Sequence, residues 1–120
     1  MDLADLTTLR LGGPAKAVLE ATTEAELVDA VRVADEAADP MLLVAGGSNL
    51  VVADEGFAGT VIRVLTRGIT VASDACSGAM VTIAAGEPWD DVVARAVTEG
   101  WVGVEARRRI AALAPTQVDL

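Results

Sequence analysis

The sequence has no histidine and no tyrosine, one cysteine, one phenylalanine and two tryptophans. Without histidine there is no His-based catalytic triad and no imidazole metal ligand, and a single thiol closes no intrachain disulfide. Basic residues are also scarce, nine against eighteen acidic ones, for a formal charge of -9. Such a field repels nucleic-acid phosphates and anionic lipid headgroups wherever cations do not cluster, so neither nucleic acid nor a membrane surface is an expected partner, and no protein partner is defined. No apolar run is longer than that from Met41 to Ala45, far short of the ~20 residues a membrane-spanning helix requires. The N-terminal Met1-Asp2-Leu3-Ala4-Asp5 has neither the basic region nor the long apolar region of a secretory signal. Together with the lone Cys76 this predicts a cytoplasmic protein. Cys76 itself sits in the turn-like Ser73-Asp74-Ala75-Cys76-Ser77-Gly78 with no base beside it and is read as an incidental thiol. Chemistry must therefore come from carboxylates, hydroxyls, backbone amides or a cofactor.

What is present suits one domain of 120 residues with 52% hydrophobic residues. Thr23-Glu24-Ala25-Glu26 is a capping box, and Leu27, Val28, Val31, Ala34 and Ala38 recur behind it at helical spacing until Asp39-Pro40 stops the pattern. Ala17 to Ala21 reads as a strand before that helix. Met41-Leu42-Leu43-Val44 reads as a strand after it, buried on both faces. Leu50-Val51-Val52 and Thr60 to Val64 read as further strands around the turn Asp54-Glu55-Gly56. Ile69 to Val71 and Met80 to Ala84 suggest an antiparallel hairpin turning at Ser77-Gly78. A second helix follows Gly86-Glu87-Pro88, with Asp90 and Asp91 at its start, one face formed by Trp89, Val92, Val93, Ala96 and Val97, and a C-terminal cap at Gly100.

The segment Ala45-Gly46-Gly47-Ser48-Asn49-Leu50 follows the strand at residues 41–44, the position at which open α/β sheets place ligand loops. Paired glycines leave no Cβ to obstruct a ligand, and successive amides with the Ser48 hydroxyl and the Asn49 amide can donate to a diphosphate. The same composition also makes a plain chain-reversing turn. Neither the Walker A pattern nor the Rossmann fingerprint is present. Arg10, Arg63 and Arg67 read as solvated surface residues, Asp90 and Asp91 as helix-start charges, and Trp89 and Trp101 as core aromatics.

Several motifs in register carry more information than any one of them. Thr7-Thr8-Leu9-Arg10-Leu11-Gly12-Gly13-Pro14-Ala15, the capped helix, Val44 to Val52 with Asp54, Gly56-Phe57 and Gly59 to Ile62, then Ala85-Gly86-Glu87 with Trp89 and Glu99 to Glu105, resemble the N-terminal part of UDP-N-acetylenolpyruvoylglucosamine reductases over roughly residues 6 to 106. The resemblance implies an α+β fold, an incomplete FAD-binding domain of the vanillyl-alcohol-oxidase (PCMH) type over residues 1–106, with a divergent tail at 107–120. It implies FAD as cofactor, NADPH as reductant and a UDP-sugar enolpyruvyl ether as substrate, reduced to UDP-N-acetylmuramate in peptidoglycan synthesis. Carried over to this sequence, Ala45, Gly46, Gly47, Ser48, Asn49 and Leu50 contact the FAD diphosphate. The family usually has glycine where Ala45 stands, so a positive φ there would add strain.

The family's catalytic arginine, its proton-donating serine and its C-terminal glutamate fall beyond this chain, so no catalytic residue and no metal ligand is assigned, and Ser48 is not that serine. Arg107-Arg108-Arg109 opens a tail that is either an ordinary basic extension or the product of a shifted reading frame. The shifted frame is the expected one, and translation of the DNA around codon 106 in the other frames should then yield Gly-Ile-Pro-Gly. A fragment of this kind is expected to hold FAD weakly and not to turn over alone. The competing readings are another PCMH-type flavoprotein oxidase fragment and a non-catalytic flavin-binding or interaction module.

Overall fold

The computed structural model describes residues 1–74 and 78–102. Cys76, the turn residue Ser77 and the tail from 103 onward, with Arg107 to Arg109, lie outside the described residues. The chain divides into two compact units, Met1–Thr66 and Arg67–Leu120.

The first unit opens with an arm containing one 3-10 turn, Leu3–Leu6. Strand β1 (Ala15–Ala21), helix α1 (Glu24–Glu36) and strand β2 (Met41–Val44) follow as a parallel crossover, and strand β3 (Phe57–Val64) inserts between the two strands, giving the parallel order β1-β3-β2. β3 is the central strand because its residues are apolar on both faces: Val61, Ile62 and Val64 are all buried. Register places Val18, Val61 and Leu42 in one row across the sheet, and Leu19, Ile62 and Leu43 in the next, facing the other side. The first face packs with Leu3, Val44, Leu6, Leu50, Val52 and Phe57 into one core. The second is left to α1, which packs on β1 and β3.

Helix α1 starts as its sequence predicts. The Thr23 hydroxyl accepts from the Glu26 amide at 3.2 Å, and the Glu26 carboxylate accepts from the Thr22 amide and hydroxyl, both at 2.8 Å, and from the Thr23 amide at 3.2 Å. The Thr22 hydroxyl first, then the two amides, hold this carboxyl below the usual carboxylate range. The helix ends earlier than its apolar spacing suggests. Ala38 is exposed and beyond the last turn, at φ +51, where its amide donates to the Asp35 carbonyl and the Asp39 amide to that of Ala34.

Two expectations are corrected. β2 is an edge strand with Leu43 51% exposed, not a strand buried on both faces. Leu50-Val51-Val52 forms no strand. Both edges of β3 are already taken by β1 and β2, and these residues are held individually, Leu50 and Val52 by the core and Ala53 by its carbonyl accepting from the Gly13 amide at 3.0 Å.

In the second unit, strands β4 (Ile69–Asp74) and β5 (Gly78–Ile83) pair antiparallel as expected, with Val71 opposite Val81. Helix α2 (Trp89–Glu99) follows, with Val92 and Ala96 buried and Gly100 at φ +75 as its left-handed cap. Among the described residues no helix is long and apolar enough to cross a membrane.

Candidate functional site

The loop after β2 is anchored at both ends and exposed over most of its span. Val44 is buried in the core and Leu50 packs against it, while Gly46, Ser48 and Asn49 are exposed. The loop stands at the carboxyl end of a strand in a parallel sheet, where side chains of the sheet no longer cover the backbone.

The two glycines have different environments. Gly47 lies at φ +65, and its carbonyl accepts from the Thr8 amide at 3.0 Å. A Cβ built on it would fall 2.0 Å from the Leu6 carbonyl oxygen and 3.1 Å from the Thr7 Cα. A side chain is excluded there by the protein itself. A Cβ on Gly46, by contrast, meets nothing within 4 Å. Gly46 is therefore the position at which an outside molecule can approach the backbone. Ala45 is half-buried and has no positive φ, since the described non-glycine residues in that region are Arg10 and Ala38. The methyl group at Ala45 thus brings none of the strain its replacement of glycine would have caused.

The arm that grips Gly47 is a feature sequence reasoning used only as a family signature. Its Leu3 and Ala4 amides donate to the Gly13 and Gly12 carbonyls at 2.8 and 3.1 Å, closing it on itself. Gly13 then lies so close to the Asp54-Glu55-Gly56 turn that a Cβ would come within 1.9 Å of the Asp54 carbonyl oxygen. The Gly-Gly-Pro pattern after Leu11 was the available signal, since an adjacent glycine pair marks close backbone approach.

The loop from Ala45 to Leu50 carries no ionisable group, so any charge on a ligand there must be met by amide dipoles or from neighbouring elements. Most cations of the first unit are committed elsewhere. Lys16 Nζ bonds Asp39 Oδ1 at 2.5 Å, Arg32 reaches Asp29 and Glu36 at 2.5 and 3.0 Å, and Arg63 pairs with Glu20. Asp39 Oδ2 also accepts from the Thr60 hydroxyl at 2.6 Å. The Lys16 ammonium first, then that hydroxyl, hold the Asp39 carboxyl below its ordinary value.

The remaining candidates in the sequence resolve plainly. Arg67 lies 3.7 Å from Glu87. Asp90 and Asp91 occupy the first turn of α2. Trp89 is partly buried, with its Nε1 enclosed and without a hydrogen-bond partner among the described residues. Arg95 lies over the Trp101 ring, 5.6 Å from its centre. A shallow depression lined by Glu24, Ala25, Val28, Asp29 and Arg32 belongs to the surface of α1 alone. Among the described residues no acidic or thiol cluster is arranged to hold a metal.

Comparison with known proteins bears directly on this loop. Over 103 residues the chain is 50% identical to the UDP-N-acetylenolpyruvoylglucosamine reductase of Cutibacterium acnes and 52% identical to that of Streptomyces avermitilis, covering 86% of this chain in each case. It is 50% identical over 104 residues to the reductase of the same name from Thermobifida fusca. The chain spans 27% of the length of the first two relatives and 29% of the third. The FAD binding domain family matches residues 15–113, a stretch that takes in the parallel sheet, α1 and the whole glycine loop. With that match over most of its length, this α+β chain belongs to the FAD binding domain family.

Proposed function

We propose that this chain is the N-terminal part of the flavin half of a UDP-N-acetylenolpyruvoylglucosamine reductase, and that Ala45, Gly46, Gly47, Ser48, Asn49 and Leu50 form the seat of the FAD diphosphate. The observation that carries the reading is the split between the glycines: Gly47 is fastened to the arm, and at Gly46 the space a Cβ would take is open, with no described atom beyond its chain neighbours within 4 Å. That is the arrangement a diphosphate needs, with one point fixed in position and one open to approach. Ser48, exposed beside it, adds a hydroxyl donor. Leu50 contributes by anchoring the loop to the core.

The fold belonging to this reading is the PCMH-type flavin domain, incomplete over residues 1–106, with 107–120 a divergent tail. When bound, FAD supplies two-electron transfer between NADPH and the enolpyruvyl ether of the UDP-sugar, giving UDP-N-acetylmuramate for peptidoglycan in the cytoplasm. This chain's own residues bind and orient the dinucleotide. None is assigned to proton transfer.

The test is an FAD titration of the purified chain, followed by flavin fluorescence, with Gly46→Val alongside. Saturable binding that Gly46→Val abolishes, with unchanged unfolding behaviour, is the expected result. Equal binding by both proteins removes the loop from the site.

A further inference from the structure

We propose that Arg10 supplies the cation that holds the dinucleotide's diphosphate at the Gly46-Gly47 loop. The proposal deepens the flavin reading above and rests on it.

The need for a cation follows from charge. Residues 1–66 hold four basic and eleven acidic side chains, a field that opposes a dianion unless one cation is free beside it. Three of the four are engaged: Lys16 by Asp39, Arg32 by Asp29 and Glu36, and Arg63 by Glu20. Arg10 is exposed and its guanidinium has no partner among the described residues.

Its backbone singles it out a second time. Arg10 lies at φ +55, a region that glycine enters freely and a side chain enters at a cost. No burial of the side chain offsets that cost. Ala38 holds a like conformation where it closes the end of α1, and at Arg10 the strained residue closes the turn of the arm beside the loop.

Placement is the third element. The turn from Thr7 to Arg10 is closed by the Arg10 amide donating to the Thr7 carbonyl at 3.3 Å, and the Thr7 hydroxyl donates to the Leu11 carbonyl at 3.3 Å. Thr7 is buried, and the Thr8 amide binds the Gly47 carbonyl. Arg10 is thus two positions from the point where the arm is fastened to the loop, on a turn tied at both sides. The loop amides supply dipoles without net charge, and a guanidinium supplies the charge, with a fork that matches two phosphate oxygens.

The experiment titrates the 120-residue chain and its Arg10→Gly and Arg10→Lys variants with FAD at several salt concentrations, with thermal unfolding of each protein. Glycine suits the left-handed backbone, so Arg10→Gly is expected to unfold no lower than wild type. It is expected to bind FAD about tenfold or more weakly, the loss of one charge-assisted hydrogen bond, with a flatter salt dependence. Arg10→Lys should recover part of both, a rescue that a merely structural role would not give. A smaller loss in Arg10→Gly, or a loss that keeps the wild-type salt dependence, overturns the role of Arg10 and leaves the flavin reading standing. Failure of the wild-type chain to bind FAD overturns both.

Discussion

Gly46 and Gly47 are adjacent and of one type, yet their substitutions should separate cleanly. At Gly47 a methyl group meets both a positive φ and the Leu6 carbonyl oxygen at 2.0 Å, so Gly47→Ala should lower stability by about 1–3 kcal/mol from the backbone strain alone. At Gly46 nothing lies within 4 Å and φ is not positive, so Gly46→Ala should leave stability within about 0.5 kcal/mol of wild type. Urea unfolding of the two variants checks the pair, and equal destabilisation would mean that the arm does not bear on Gly47. Ala38 offers the converse case. It holds φ +51 beyond the end of α1, so Ala38→Gly should stabilise by about 1 kcal/mol, read as a higher urea midpoint with an unchanged slope. Sequence alone could place the glycine pair on a loop after a strand. It could not say which glycine faces the protein, because that depends on Leu6 and Thr7, residues that meet the loop only after folding.

At the level of elements, what could be read in advance was what is written locally. The capping box and apolar spacing of α1, the alternation in β4 and β5, and the Pro start and Gly end of α2 each involve neighbours in sequence. The order β1-β3-β2 does not, and so Leu50 to Val52, apolar enough for a strand, had no visible reason to remain unpaired. The arm was opaque for the same reason: it has no periodicity, and its glycines matter through residues distant in sequence, Gly12 through Leu3 and Val52 and Gly13 through Ala53 and Asp54. The junction of α1 and β2 gives an element-scale prediction. Asp39 is tied to Lys16 on β1 and to Thr60 on β3, which holds its carboxyl below the ordinary value. A folded-state value below the unfolded one, about 3.9 for Asp, contributes stability that is present above the unfolded value and lost as pH falls through the folded value. Thermal midpoints measured from pH 6 to pH 2 should therefore fall more gently in Asp39→Asn than in wild type. Parallel curves would show that the contact contributes no pH dependence.

Over the whole molecule, the chain carries a loop proposed to seat the FAD diphosphate but no residue assigned to proton transfer, and it spans 27% of the length of the Cutibacterium acnes reductase. Its formal charge of -9 also works against a cofactor that is itself anionic. On the proposed reading FAD is favoured by the loop amides, the Ser48 hydroxyl and the Arg10 guanidinium, so affinity should rest on the diphosphate and be sensitive to salt. The chain should accordingly bind FAD at least about tenfold more weakly than the full-length relative measured beside it. Because a ligand that binds only the folded state stabilises it by RT ln(1 + L/Kd), L being its free concentration, millimolar FAD should still raise the thermal midpoint of this chain. NADPH and the enolpyruvyl UDP-sugar added to the FAD-loaded chain should give no NADPH oxidation above the rate of free FAD, since the proposed reading assigns no residue here to protonating the substrate carbon. Turnover at a rate comparable to the relative would place a proton donor within the 120 residues, and the exposed Ser48 would then be the first hydroxyl to replace by alanine.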